Sequence, residues 1–217
     1  MGKLIFPEIN LNGIKGVLLD IDNTIYHYDS CHEHAFNTII NELSKMLNLS
    51  KDIIQKEFLN SRKKINTDLF DYASSHSRFL YIQITLEKCL KKTLFKETLK
   101  LEEVYWSAFL SKMQIEEGAK KFINKCYELN LPICCVTDLT SQIQFRKIIQ
   151  LKLEDKINFI VTSEEAGIEK PNKKIFDLAL KKINLKYDEA IMIGDNNLKD
   201  IKGAEDLGIR SYLVKSL

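Results

Sequence analysis

Apolar residues along this chain fall into two regimes. Near the start, Val17-Leu18-Leu19 forms a short unbroken apolar run that leads into Asp20-Ile21-Asp22-Asn23-Thr24-Ile25. Such a run reads as a strand buried on both faces. From about residue 29 to 113 the spacing turns helical. Phe36, Ile39, Ile40, Leu43 and Leu47 recur at three- and four-residue intervals, and Ser50 stands where it can cap a second helix through Ile53, Ile54 and Phe58. Phe79, Ile82, Leu86, Leu90 and Leu94 make a third stripe, and Leu101, Val104, Tyr105 and Ala108 a fourth. This block has neither Gly nor Pro, and it predicts a helical bundle inserted after the first strand.

Beyond Glu116 strands and helices alternate. A helix to about Asn130 precedes a strand over 131–136, which ends in Thr137-Asp138. A helix through Ile143, Ile148 and Ile149 leads to a strand over 159–162, and a helix over about 172–184 carries Ile175, Leu178, Ala179 and Ile183 on one face. A strand over 190–193 ends in Gly194-Asp195, a helix passes through Ile201 and Ala204, and a strand over 211–214 comes last. Residues 3–13, with Pro7, Asn10 and Asn12, read as an extended lead-in or an edge strand. The alternation predicts an α/β fold: a parallel sheet with helices on both faces. Right-handed crossovers then bring every strand's C-terminal end to one edge.

Composition narrows the function classes. The 217 residues are 45% hydrophobic and 29% charged, which suits a globular α/β domain with an insertion. The net charge is only +2, and Lys and Arg are spread along helices, so nucleic acid is not expected as a partner. Cys31, Cys89, Cys126, Cys134 and Cys135 form no C-x-x-C, an odd set that suits a reducing compartment. No apolar stretch approaches the ~20 residues that span a bilayer. Met1 to Phe6 shows no secretory or myristoylation pattern, and Lys215-Ser216-Leu217 is no peroxisomal address. A cytoplasmic location is the expectation.

The candidate chemistry lies at the strand ends. The first strand delivers Asp20 and Asp22, the second Thr137, the loop after the third Glu169-Lys170-Pro171-Asn172, and the fourth Gly194-Asp195 with Asp200 beyond it. Carboxylates about 5 Å apart repel by about 3 kcal/mol per pair at an effective dielectric near 20. Three or four converging acids therefore call for a cation. An oxygen-only donor set without His or Cys suits Mg²⁺. Lys170 and Thr137 suit phosphate oxygens, and helices beginning near Thr140 and Asn172 would aim their N-termini at the same edge. Metal, phosphate and a free carboxylate together imply phosphoryl transfer through a carboxylate nucleophile.

With these four motifs in order, Asp20-Ile21-Asp22-Asn23-Thr24, Thr137, Lys170-Pro171 and Gly194-Asp195 with Asp200, the chain resembles the haloacid dehalogenase-like hydrolase superfamily. The resemblance implies a Rossmann-like three-layer catalytic core over residues 1–28 and 114–217, with a helical cap over 29–113. It implies that Asp20 attacks phosphorus and that Asp22 protonates the leaving oxygen and then activates water. Thr137 and Lys170 would hold the phosphoryl group. Asp20, the backbone carbonyl of Asp22, Asp195 and, directly or through water, Asp200 would bind Mg²⁺. An acid at Asp22 fits the phosphatase branch, with a small phosphomonoester as substrate: a sugar phosphate, a phosphoglycolate-like acid or a nucleoside monophosphate. A phosphosugar mutase and a non-catalytic phosphoryl-binding module are the alternatives.

Other polar residues read as structural. Asp138 reads as a helix-entry residue, His27, His32 and His34 as solvent-facing, and Arg78 as an exposed helix arginine. Tyr105, Trp106 and Phe109 read as core of the helical block, while Phe70 and Tyr72 are candidates to touch substrate.

Overall fold

The computed structural model describes residues 4–216, so Met1–Lys3 and Leu217, which belong to the two terminal stretches read for targeting signals, lie outside the described residues. The chain divides into two compact units, one of Met1–Tyr28 with Met113–Leu217 and the other of Asp29–Lys112. Leu4–Ile5 (β1) and Gly16–Leu19 (β2) precede the helices Tyr28–Leu47 (α1), Lys51–Asp68 (α2), Arg78–Leu90 (α3) and Phe95–Ser111 (α4). Glu117–Glu128 (α5) opens the alternation of Ile133–Thr137 (β3), Ser141–Gln150 (α6), Phe159–Thr162 (β4), the single turn Ser163–Ala166 (α7) and Lys173–Ile183 (α8). Ala190–Gly194 (β5) follows, then a π-helical segment Asn197–Lys202 that continues as Gly203–Glu205 (α9), and finally Arg210–Leu213 (β6) and Lys215–Ser216 (β7).

In the first unit five parallel strands lie in the order β4-β3-β2-β5-β6. Leu18 sits beside Cys134 and Met192. These three side chains, with Val136, pack against Ile175, Phe176, Ala179, Leu180 and Ile183 of α8. Val17, Leu19, Ile133, Cys135, Ile191 and Ile193 alternate to the opposite face and are just as fully buried. Both faces of the central strands are therefore covered, which is why they read as continuous apolar runs. Each such side chain contributes about 1.5–3 kcal/mol of burial, and Leu18→Ala would cost about 2–5 kcal/mol. The Asn172 side chain caps α8 by accepting from the Lys174 N–H, and a left-handed Asn184 ends the helix. The lead-in does form a strand, but outside the main sheet: β1 pairs antiparallel with β7.

The strand order reverses about β2, so the crevice at its C-terminal end is the natural ligand position in such a sheet. On α6 the inward face is partly polar. Ile143, Gln144, Lys147 and Ile148 are buried, whereas Ile149 is exposed.

The second unit is helical. Phe36, Phe58 and Tyr81 meet edge to face in succession, and Tyr105, Trp106 and Phe109 form a buried aromatic cluster, as their spacing predicts. The third stripe stops early. Left-handed Lys91 ends α3, so Leu90 is exposed and Leu94 becomes the residue before α4. Arg78 is not an exposed arginine. It is buried, with its guanidinium 5.2–5.9 Å from the ring centroids of Tyr81, Tyr105 and Trp106 and donating to the His76 carbonyl at 2.6 Å. His32 is half-buried rather than fully solvent-facing. It shares a 2.6 Å hydrogen bond with the Tyr105 hydroxyl, and burial, with Arg78 and Arg62, pushes its pKa down to about 4. His34 is exposed, and His27 pairs with Glu116 at 2.8 Å in the first unit. Phe70 and Tyr72 are exposed between α2 and α3. All five cysteines are free thiols, and no described helix is long and apolar enough to cross a membrane.

Candidate active site

Asp20 leaves the end of β2, where its N–H donates to the Ile193 carbonyl at 2.9 Å. Its carboxylate is gripped from two sides. Lys170 Nζ donates to Oδ1 at 2.6 Å, and the buried Thr24 hydroxyl donates to Oδ2 at 2.9 Å. The same ammonium donates to Asp200 Oδ1 at 2.6 Å and to the Val136 carbonyl at 2.9 Å, so all three of its donors are used inside the protein. Asp200 sits within the π-helical segment rather than in the first turn of an α-helix, and its Oδ2 accepts from the Asn196 N–H at 2.9 Å. Asn196 in turn caps that segment by accepting from the Leu198 and Lys199 N–H groups. Gly194 makes the approach of Asp200 feasible, because a Cβ there would lie 2.3 Å from Asp200 Oδ2.

Oxygens of Asp20, Asp195 and Asp200 all lie within 4.8 Å of one another. Three carboxylates against one ammonium leave two negative charges in a largely buried pocket. Burial, then the repulsion of Asp200 and Asp195, raises the Asp20 pKa well above the usual carboxylate range despite Lys170. Burial and Asp200 push Asp195 up to about 6. Burial alone would lower the Lys170 pKa, but Asp20 and Asp200 outweigh it and raise it. This oxygen-only group with its residual charge fits a hard divalent cation.

The structure separates Asp22 from these three acids. Its carboxylate faces α6, where Lys147 Nζ donates to both oxygens at 2.6 and 2.8 Å, Tyr26 donates its hydroxyl, and Gln144 Nε2 lies 3.3 Å away. Burial pushes the Asp22 pKa up, but Lys147, Tyr26 and Gln144 outweigh it and hold it below the usual range. Thr137 is buried at the end of β3, and its hydroxyl accepts from Gln144 Nε2 at 2.7 Å. Asp138 does more than open a helix. It accepts from the Lys170 N–H at 3.0 Å and from Lys199 Nζ at 2.8 Å, and Lys199 also reaches Glu169 at 2.7 Å. Those contacts join the loops after β3, β4 and β5.

Gln144, Lys147 and Lys199 were not singled out in the sequence. The available signal was a glutamine and a lysine three residues apart on the apolar face of α6.

The family model described as haloacid dehalogenase-like hydrolase matches residues 17–214. The chain belongs to the haloacid dehalogenase-like hydrolase family. Among its haloacid dehalogenase-like relatives, a ribulose-1,5-bisphosphate 5-phosphatase from Halopiger xanaduensis is 31% identical over 91% of this chain and 83% of its own length. A glyceraldehyde 3-phosphate phosphatase from Methanopyrus kandleri is 26% identical over 93% of this chain and 84% of its own. The crystal structure of a haloacid dehalogenase-like phosphatase from Thermococcus onnurineus shares the fold, with a TM-score of 0.71 at 22% identity, covering 93% of this chain and 86% of that one. This chain is therefore an α/β enzyme of the haloacid dehalogenase-like hydrolases.

Proposed function

We propose that this enzyme is a Mg²⁺-dependent phosphatase that hydrolyses a small phosphomonoester through an aspartyl-phosphate intermediate. The observation that carries this reading is the Asp20 carboxylate, fixed between Lys170 and Thr24 beside Asp195 and Asp200. A bound Mg²⁺, held by Asp20, Asp195, Asp200 and the Asp22 carbonyl, would neutralise charge on the phosphoryl oxygens. An Asp20 oxygen forms a bond to phosphorus as the ester P–O bond breaks, and Asp22, which Lys147 keeps ionised at rest, takes up a proton in the substrate complex and passes it to the leaving oxygen. Water then attacks phosphorus, its proton passes to Asp22, and the Asp20–phosphorus bond breaks to release phosphate. The Thr137 hydroxyl holds a phosphoryl oxygen, while Lys170, its three donors on Asp20, Asp200 and the Val136 carbonyl, offsets phosphoryl charge from there and keeps Asp20 oriented between turnovers.

The helical block over 29–113 is assigned as the family's substrate-selecting cap, because it is inserted directly after the Asp20–Thr24 motif. The free thiols suit a cytoplasmic enzyme. Relatives named for ribulose bisphosphate and glyceraldehyde 3-phosphate favour a sugar phosphate as substrate. The test is phosphate release with Mg²⁺ across sugar phosphates, phosphoglycolate, nucleoside monophosphates and 4-nitrophenyl phosphate, with Asp20→Asn run in parallel. Turnover should require Mg²⁺, stop with chelator and vanish in Asp20→Asn. Substantial turnover in that variant would remove Asp20 as nucleophile, and phosphoryl transfer between sugar hydroxyls without net phosphate release would favour a mutase.

A further inference from the structure

Helix α6 spends two of its four buried positions on polar side chains, Gln144 and Lys147. Their spacing sets them on one face of the helix. A lysine withdrawn from water is costly unless it is paired and hydrogen-bonded. Lys147 is entirely buried, bridges both oxygens of Asp22, and lies 5.8 Å from the ring centroids of Tyr26 and Tyr28. Gln144 is also fully buried, and its Nε2 faces Thr137 Oγ1 at 2.7 Å, the Asp138 carbonyl at 3.0 Å and Asp22 Oδ2 at 3.3 Å. Its own Oε1 is buried without a hydrogen-bond partner. An unmet buried acceptor is costly, a penalty the fold tolerates while the two hydrogens of Nε2 are shared among those acceptors.

Stability alone gives little reason for this arrangement. Well-packed apolar residues in place of a buried ion pair are often neutral or stabilising. Asp22, moreover, keeps 28% of its side chain exposed, so one end of the pair remains open to a substrate.

We infer that Lys147 and Gln144 are positioning residues for proton transfer. Lys147 clamps the Asp22 carboxylate in one orientation, and Gln144 ties it to the Thr137 hydroxyl. The proton-transferring group and the phosphoryl-holding group thereby keep a constant relative geometry. The inference rests on the assignment of Asp22 to proton transfer.

The test uses an ester series and a double-mutant cycle. The 4-nitrophenolate leaving group needs little protonation, whereas an alkoxide needs a great deal. With the fastest alkyl phosphate of the substrate panel, Lys147→Met should lower kcat by about 100-fold, the low end of general acid catalysis, and with 4-nitrophenyl phosphate by less than about 10-fold. KM should change far less than kcat, and Lys147→Arg should recover part of the loss. In an Asp22→Asn background Lys147→Met should add nothing further, because both changes remove one function. Equal losses on both esters, or losses that multiply in the double variant, would overturn the inference. If Lys147→Met loses its cooperative unfolding transition, Gln144→Leu carries the same comparison, with a smaller loss again confined to the alkyl ester. Turnover retained in Asp20→Asn would instead overturn the underlying mechanism, a failure distinct from that of the α6 pair.

Discussion

Asp195→Asn is expected to stabilise the metal-free protein while abolishing its turnover. Oxygens of Asp20, Asp195 and Asp200 lie within 4.8 Å of one another, and each ionised pair at that distance repels by about 3 kcal/mol at an effective dielectric near 20. The two short bonds from Lys170 go to Asp20 and Asp200, which leaves Asp195 as the carboxylate with least compensation. Its pKa stands at about 6 against an ordinary value of 3.8. Two pKa units amount to about 3 kcal/mol, which partial solvent access reduces to about 1–2 kcal/mol. The sign follows from proton linkage. Between pH 3.8 and about 6 the folded state binds more protons than the unfolded one, so this group's contribution falls as pH rises and stays low above that window. Urea unfolding in EDTA at neutral pH should therefore show the variant more stable by about 1–2 kcal/mol, with the gap closing near pH 4. Saturating Mg²⁺ should reverse the order, because ligand binding stabilises only a protein that retains the site. A variant less stable than the wild type in EDTA at neutral pH, or equal gains from Mg²⁺ in both proteins, would refute the electrostatic reasoning.

Two further outcomes can be checked directly. Gly194→Ala places a Cβ against the Asp200 carboxylate, whose nearest atom would lie at 2.3 Å, and so should push Asp200 off Lys170. A displacement near 1 Å costs about 100-fold in turnover, and the Mg²⁺ requirement should shift to higher concentration; a wild-type Mg²⁺ titration would contradict the close approach. His32 has a folded pKa of about 4 against 6.5, so it resists protonation while the unfolded chain accepts it. Acidification through that window should cost the wild type about 1–2 kcal/mol, after allowance for solvent access, and His32→Gln should lack that loss. Thermal melts at pH 7 and 5 with the same wild-type-to-variant difference would count against it.

Much of the fold was legible because its signals are local. The apolar run at Val17–Leu19 and the strand–helix alternation after Glu116 announce a buried parallel sheet, and that sheet carries Asp20, Thr137, Lys170 and Asp195 to one edge by topology alone. The three acids that meet within 4.8 Å all stand at or just beyond the ends of apolar runs in the sequence. The misreadings share a cause. Arg78 and His32 carry groups that usually face water, and only the packing of α1, α3 and α4 around Tyr105 shows Arg78 buried and His32 half-buried. Likewise the apolar Ile149 of α6 is exposed, while Gln144 and Lys147 take inward positions.

What the sequence by itself determined was the kind of sheet, the identity of the acids and the family. What tertiary structure decided was which charge answers which. Lys170 lies 150 residues from Asp20 and Lys147 lies 125 residues from Asp22, and no local pattern assigns those partners. Periodicity reports only which side of an element meets the core. The pairing of a buried cation with one carboxylate rather than its neighbour follows from how strands and helices pack. Packing divides the acids into a cluster of three open to a metal and an Asp22 held apart by α6.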